Sequence, residues 1–507
     1  MKRKTAAAAV FLVLFSITGS RHTARAAIAD AGEYLLNNVV CKRLPNGITV
    51  LLLNRGYAPV LSFQISFRVG SVDEDARTIG AAHMLEHMLF KGTDRIGTKD
   101  FKAERPLQAR IEAIGETIDR LKLLNPKNER IPALEKELRI LQERQSHLIE
   151  GSPYDRLYSE EGGVGFNAST SKDMTGYYVR LPASKLTMWA KIESERLRNP
   201  VFREYYQERS NVFQERLMRY DAVGSGILYE RFLAAAFIAH PYRHPIIGWR
   251  SNIPFLSVEE VKRFYYEYYI PSRMTIVIVG RQNTDETFRV LEQYFGTLPA
   301  RPDPAPIAIQ EPQRPGERRI EVLFEAGPEL IIGWNKPAFP SRDDCVLDVA
   351  GEILAGGKAS RLYRSLVVEK QIATSVSVWT AAPGSRYDNC FALFVKPRPP
   401  HTPEDCEAAI YKEMDQFFKD VREDEIRNVA IAMESEMVFG LESNTGIARL
   451  LSHYQTVHGD WRYAGRYPSM IRTVTMDEIR SLKDKYFRPD NRTVALLRDS
   501  RSMENKR

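Results

Sequence analysis

Residues 80–92 read GAAHMLEHMLFKG, with His83, Glu86 and His87 set among small and apolar residues. Alanine, methionine and leucine are strong helix formers, and Gly92 stands where a helix would stop. On a helix, residues four apart share a face one turn apart, so His83 and His87 can aim two imidazoles at one point. Glu86 shares that edge. Two neutral imidazoles at this spacing suit a Zn²⁺ ion with a carboxylate beside its open position. A buried helix can also carry histidines satisfied by hydrogen bonds alone. The surrounding chain weighs between the two.

Upstream, the Asn46-Gly47 turn precedes a β-rich run to Leu53, and Val60–Val69 predicts a second strand. Downstream, residues 103–150 change character. Leu107, Ile111, Ile114, Ile118 and Leu121 recur at helical spacing, as do Leu134, Leu138, Leu141 and Leu148. Asn125-Pro126-Lys127-Asn128 between them predicts a tight turn joining two antiparallel helices. The segment reads as an insertion that overhangs the motif helix. Residues 162–170, GGVGFNAST, predict a glycine-led strand, and Thr175–Val179 another. The glycines lack phosphate-loop spacing, which disfavours nucleotide binding. They suit either a simple hairpin or a strand on which an extended peptide is laid. Residues 184–220 predict helices rich in charge, where Glu208 and Glu215 stand two turns apart on one face. They read either as surface glutamates or as a source of a remote oxygen ligand. His240-Pro241-Tyr242-Arg243-His244, with Pro245 behind it, reads as a rigid structural loop rather than a second metal site.

The chain repeats itself. Ser257-Val258-Glu259-Glu260-Val261 matches Thr475-Met476-Asp477-Glu478-Ile479, and Pro271 and Thr275 match Pro489 and Thr493, at a constant offset of 218. Six prolines between 299 and 315 mark a linker. Ile320–Phe324 and Leu330–Trp334 then open the second half with strands, as the first half opens. The expected fold class is therefore α+β: two homologous domains, each a mostly antiparallel sheet flanked by helices. The expected layout is a signal segment at 1–26, a metal-bearing domain at 27–300, a linker at 301–317 and a second domain at 318–500. The second half has no H-x-x-E-H spacing, so one metal site per chain is expected.

The first 26 residues combine a basic start (Lys2, Arg3, Lys4), an apolar run from Ala6 to Thr18, and small residues for cleavage near Ala26. The sequence thus predicts export to a periplasm with no membrane anchor, since no other apolar run is long enough to span a bilayer. The formal charge is +7, and Lys2, Arg3, Lys4, Arg21 and Arg25 carry five of it, leaving +2 for the mature chain. That gives no argument for nucleic acid. Cys345, Cys390 and Cys406 permit a disulfide in an oxidising compartment, or are simply small buried thiols; none has CxxC spacing.

Taken together, these stretches resemble the pitrilysin/insulinase family of zinc peptidases, whose motif helix carries H-x-x-E-H, the inverse of the commoner H-E-x-x-H. The chain is most similar to the short two-domain branch that includes mitochondrial processing peptidase and its bacterial relatives. The matching residues are GAAHMLEHMLFKGT at 80–93, Asn167-Ala168-x-Thr170, Glu208-Arg209 with Glu215, His240-Pro241-Tyr242, and LAGGKASRLY at 354–363. The resemblance implies that His83, His87 and Glu215 bind zinc and that Glu86 takes a proton from the attacking water. It implies that Glu208 supports the ligands from behind and that Asn167 and Ala168 lie along a peptide substrate. An enclosed chamber cleaving peptides or extended segments follows from it; the alternative is a non-catalytic or partner-dependent subunit. One departure stands out. Aligning Glu369-Lys370 puts Val367 and Thr374 where active relatives have an Arg and a Tyr that hold substrate. The resemblance therefore implies a dimer in which a homologous subunit supplies that pair.

Overall fold

The run Thr49-Val50-Leu51-Leu52-Leu53 has no polar alternation, and its place in the fold explains why. The computed structural model describes residues 32–501, so the expected signal segment lies outside the described residues. The first sheet is built from β1 (Val40–Arg43), β2 (Thr49–Asn54), β3 (Val60–Phe67), β4 (Val164–Thr170), β5 (Thr175–Pro182) and β6 (Met274–Gly280). Its order is β1-β2-β6-β3-β5-β4, and only the β2–β6 pair is parallel. The second sheet holds β7 (Arg318–Phe324), β8 (Glu329–Lys336), β9 (Ala373–Ala382), β10 (Asn389–Pro397) and β11 (Arg492–Asp499) in the order β7-β11-β8-β10-β9. There only β7–β11 is parallel. Without β1, the two sheets have one topology, and the mostly antiparallel α+β reading holds.

The offset of 218 survives in three dimensions. Helix Val258–Tyr268 answers Met476–Lys485, the short turn Pro271–Arg273 answers Pro489–Asn491, and β6 answers β11. Ser257 and Thr475 cap their helices identically, each accepting from the backbone three residues on while a glutamate reaches back.

Central strands are apolar on both faces because both faces are covered. Val50, Leu52, Ile276 and Ile278 face the first core, with Met84, Leu85 and Met88 of the motif helix and Trp189. The alternate residues Leu51, Leu53, Val277 and Val279 face Ile447, Ala448 and Leu451. These last belong to helix Asn444–His458, which the second half lays across β3 and β6. The first half returns helix Gly224–Ala236, whose Leu228, Phe232 and Leu233 cover Ile331, Ala495 and Leu497 on the second sheet. Each half thus closes the other's sheet.

The insertion forms two helices, Phe101–Leu124 and Ile131–Ser146, joined at the expected turn. Residues 299–314 carry no regular secondary structure, yet they are docked: the Glu311 carboxylate accepts the backbone N–H groups of Ile238, Ala239 and His240. All four cysteines are free, and Cys345, Cys390 and Cys406 are buried thiols, so of the two readings left open for them the structure takes the second. Among the described residues, no helix is long and apolar enough to cross a membrane.

Candidate metal centre

The motif forms helix Ala81–Met88, with Ala81, Ala82, Met84, Leu85 and Met88 buried in the first core. That burial leaves one face for His83, Glu86 and His87. Gly92 ends the turn beyond it at φ +92°, where an added Cβ would meet the carbonyl oxygen of Ile96 at 2.2 Å; only glycine fits. The helix has glycine at its N-cap and no side-chain cap of its own. Buried Glu74 takes that role from outside, accepting from the backbone nitrogens of Gly80 and Ala82, each at 2.9 Å. Burial pushes the Glu74 carboxyl up to about 8, against the lowering pull of those two N–H groups. Nothing local in the sequence marks Glu74, because its register toward the helix depends on how the loop folds back.

Helix Tyr205–Arg216 brings the carboxylate of Glu215 to the two imidazoles. Glu215 Oε2 lies 3.8 Å from His83 Nε2 and 3.7 Å from His87 Nε2. One ligand atom from each of the three residues can be chosen so that all lie within 4.8 Å, and no other such trio occurs among the described residues. Two donors about 2.0–2.1 Å from one tetrahedral ion sit about 3.3 Å apart. The trio is slightly wider than that and too wide for hydrogen bonds, a spacing that fits an ion between its members.

The neighbours prepare the donors. His87 Nδ1 faces Glu208 Oε2 at 3.3 Å, which favours the tautomer that leaves Nε2 bare toward Glu215. Lys91 Nζ holds the other Glu208 oxygen at 2.6 Å. Burial alone would raise the Glu208 carboxyl, but the hydrogen bonds from His87 and Lys91 bring it down to about 2. For His87, burial lowers the pKa, and the bond and charge of Glu208 outweigh it, leaving it raised. His83 is held down to about 3, by burial first and then by His87 and Arg219, so its imidazole is neutral and ready to bind metal. Its Nδ1 is buried without a hydrogen-bond partner. Arg219 pairs with the far oxygen of Glu215 at 2.6 Å, leaving Oε2 for the histidines.

Glu86 accepts from Thr170 Oγ1 at 2.5 Å, at the end of β4. Burial raises its carboxyl above the ordinary range, opposed by Thr170 and His87. β4 is the sheet's edge strand. A cavity of about 270 Å³ beside it is lined by Glu86, His87, Asn167 and Glu208, together with residues 149–153. Asn167 therefore faces the cavity, while the Ala168 side chain is in the first core and only its backbone is at the edge. The helical insertion lies behind the site rather than over it: Asp119 pairs with Arg209 on the back of helix Tyr205–Arg216, and only the segment leaving the insertion lines the cavity. In the second half, Val367 packs against that half's core. Its neighbour Val368 is the exposed residue, and neither it nor exposed Thr374 offers a cation or a phenol.

Two stretches of the chain match domains of the insulinase (M16) peptidase family. Residues 49–118 match the model described as insulinase (peptidase family M16), and residues 256–433 match the one described as peptidase M16 inactive domain. His83, Glu86 and His87 fall in the first match. Zinc protease PqqE of Helicobacter pylori is 25% identical, over 90% of this chain and 91% of that protein. A protease structure from Helicobacter pylori superposes with a TM-score of 0.76 at 23% identity, covering 91% of this chain and 99% of the other. The periplasmic protease PqqL from Escherichia coli superposes at 0.67 and 14% identity, with 92% of this chain spanning 48% of that one.

Proposed function

We propose that this chain is a zinc-dependent peptidase acting on peptides or extended polypeptide segments, with His83, His87 and Glu215 as the metal ligands and Glu86 as the general base. One observation carries the reading: the trio of donors gathers beside a half-buried carboxylate that touches the end of an open strand edge. A bound zinc ion would polarise a carbonyl and acidify water. Glu86 then takes the proton from the attacking water; its raised affinity for protons suits a base that must later return one to the leaving nitrogen. Thr170 fixes which carboxylate oxygen is free. The unpaired edge of β4 accepts an extended segment as an added strand, with Asn167 facing it. Glu208 and Lys91 keep the His87 ring oriented.

The purified mature chain should hold about one zinc, and Glu86→Gln should keep it while cleavage of quenched fluorogenic peptides falls at least a hundredfold. Undiminished cleavage by that variant would remove the catalytic assignment.

A second reading concerns assembly. Neither Val367 nor Thr374 offers a cation or a phenol to grip a substrate, and this chain spans only about half of PqqL. We infer that it pairs with an exported homologue lacking H-x-x-E-H, which would complete the substrate site. Adding that homologue should raise peptide cleavage; full activity alone, unchanged by the addition, excludes it. Export itself predicts a mature N-terminus at Ala27, read by N-terminal sequencing of the periplasmic fraction.

A further inference from the structure

A cavity of about 920 Å³ lies where the linker meets the second half, bounded by residues 307–314, Phe237, His240, Phe339 and Arg386 among others. It shares no lining residue with the cavity beside Glu86. Three of its lining residues carry buried nitrogens without a hydrogen-bond partner: His240 Nε2, Arg314 Nε and Arg386 Nε. They come from three separate segments, and each is at least nine-tenths buried: His240 is 5% exposed, Arg314 9%, and the Arg386 side chain 4%. No lining residue has an unpartnered buried oxygen.

All three nitrogens are donors. An arginine Nε always bears hydrogen. His240 Nδ1 accepts from the Tyr242 backbone at 3.2 Å. Burial lowers its pKa to about 4, so at neutral pH its single proton sits on Nε2.

Among the lining charges, Glu311 and Asp388 are carboxylates held by backbone N–H groups rather than by a cation. Arg386, Lys336, Lys485 and Arg488 each pair with a carboxylate. Arg314 has only neutral partners: the carbonyls of Asn491 and Ala236, Thr493 Oγ1 and Asn335 Oδ1. A buried cation without an anion and donors without acceptors both destabilise. An oxyanion supplies charge and lone pairs together, most favourably to a guanidinium. Phe237, Ile307 and Phe339 add an apolar wall, which a bare inorganic ion would leave uncovered.

We propose that this cavity binds a small organic carboxylate, its oxygens on the donors of Arg314, Arg386 and His240 and its apolar part against Phe237, Ile307 and Phe339. The assignment uses none of the metal-centre residues and does not rest on the peptidase reading.

The test is calorimetric titration of the full mature chain carrying Glu86→Gln with N-acetylphenylalanine, its carboxamide, and inorganic phosphate. The acid should bind at least tenfold more tightly than the amide, and more tightly than phosphate. Arg314→Gln should abolish the preference. Ile309 is 49% exposed on the linker, so Ile309→Glu places a like charge at the cavity without disturbing the core. It should weaken the acid at least tenfold with an unchanged melting temperature, and it decides the matter if Arg314→Gln does not fold. Equal binding of acid and amide, acid binding indifferent to Ile309→Glu, or tighter binding of phosphate would each overturn the proposal.

Discussion

His87 does two jobs with two nitrogens, and the residues around it keep them apart. Nδ1 is tied to Glu208, itself tied to Lys91, while Nε2 faces Glu215. Glu208 therefore acts through His87, whereas Glu215 offers an oxygen directly. Glu215→Gln should lower zinc occupancy far more than Glu208→Gln, for which a loss of about 10–100-fold in affinity is expected. The opposite order in metal analysis would exchange their roles. Glu74 gives a pH prediction. Its folded pKa, about 8, lies above the unfolded value near 4.5. The stability linked to its protonation is fully present below the unfolded value and is lost as pH rises through 8. Histidines such as His83 and His240 have lowered values and affect stability only below about 6.5. Between pH 6.5 and 8, the wild type should lose about 1–2 kcal/mol more than Glu74→Gln does in urea unfolding. Parallel pH profiles for the two proteins would show that Glu74 is not protonated in the fold.

At the scale of elements, the motif helix, the insertion hairpin and the repeated helix-to-strand passage were legible in the sequence because their patterns are local. Spacing alone puts His83 and His87 on one face, and Ser257 and Thr475 announce their caps. Glu74 and the Arg203–Glu104 pair were not legible, since both join residues far apart in sequence through loop geometry. The hairpin's position, behind the site rather than over it, is hidden for the same reason: its apolar stripe shows that it packs, not against what. It buttresses helix Tyr205–Arg216 from behind. Arg203 and Glu104 are both fully buried, and Arg203 also donates to the carbonyls of Lys91, Thr93 and Ile96, the loop leaving the motif helix. Glu104→Gln would strand a buried guanidinium and should cost about 3–5 kcal/mol. Asp119→Asn, at the less buried Arg209 pair, should cost only about 1 kcal/mol. Comparable losses for the two in urea unfolding would contradict the placing of the main anchor at Glu104.

At the scale of the molecule, the sequence shows two halves but hides how they depend on each other. The repeat suggests units that could fold alone. The covered second faces of the sheets say otherwise. A chain ending near residue 300 would leave Leu51, Leu53, Val277 and Val279 without Ile447, Ala448 and Leu451 above them. At about 1.5–3 kcal/mol for each large aliphatic side chain, baring that face removes on the order of 10 kcal/mol. This is comparable to the whole stability of an ordinary domain. The second half alone would likewise lose Leu228, Phe232 and Leu233 from its sheet. Polar anchors cross the same boundary, Asp73 to Arg386 and Asp173 to the backbone of Ser385. Residues 27–300 and 301–507 produced separately should therefore be insoluble or lack cooperative unfolding. Coexpressed, they should recover as a soluble complex, because the linker break at 300/301 interrupts no strand or helix. Leu451→Ala in the intact chain should weaken the same contact by about 2–5 kcal/mol and expose β6 amides to faster hydrogen exchange. A soluble first half with a single sharp thermal transition would show instead that its sheet closes without the helix from the second half.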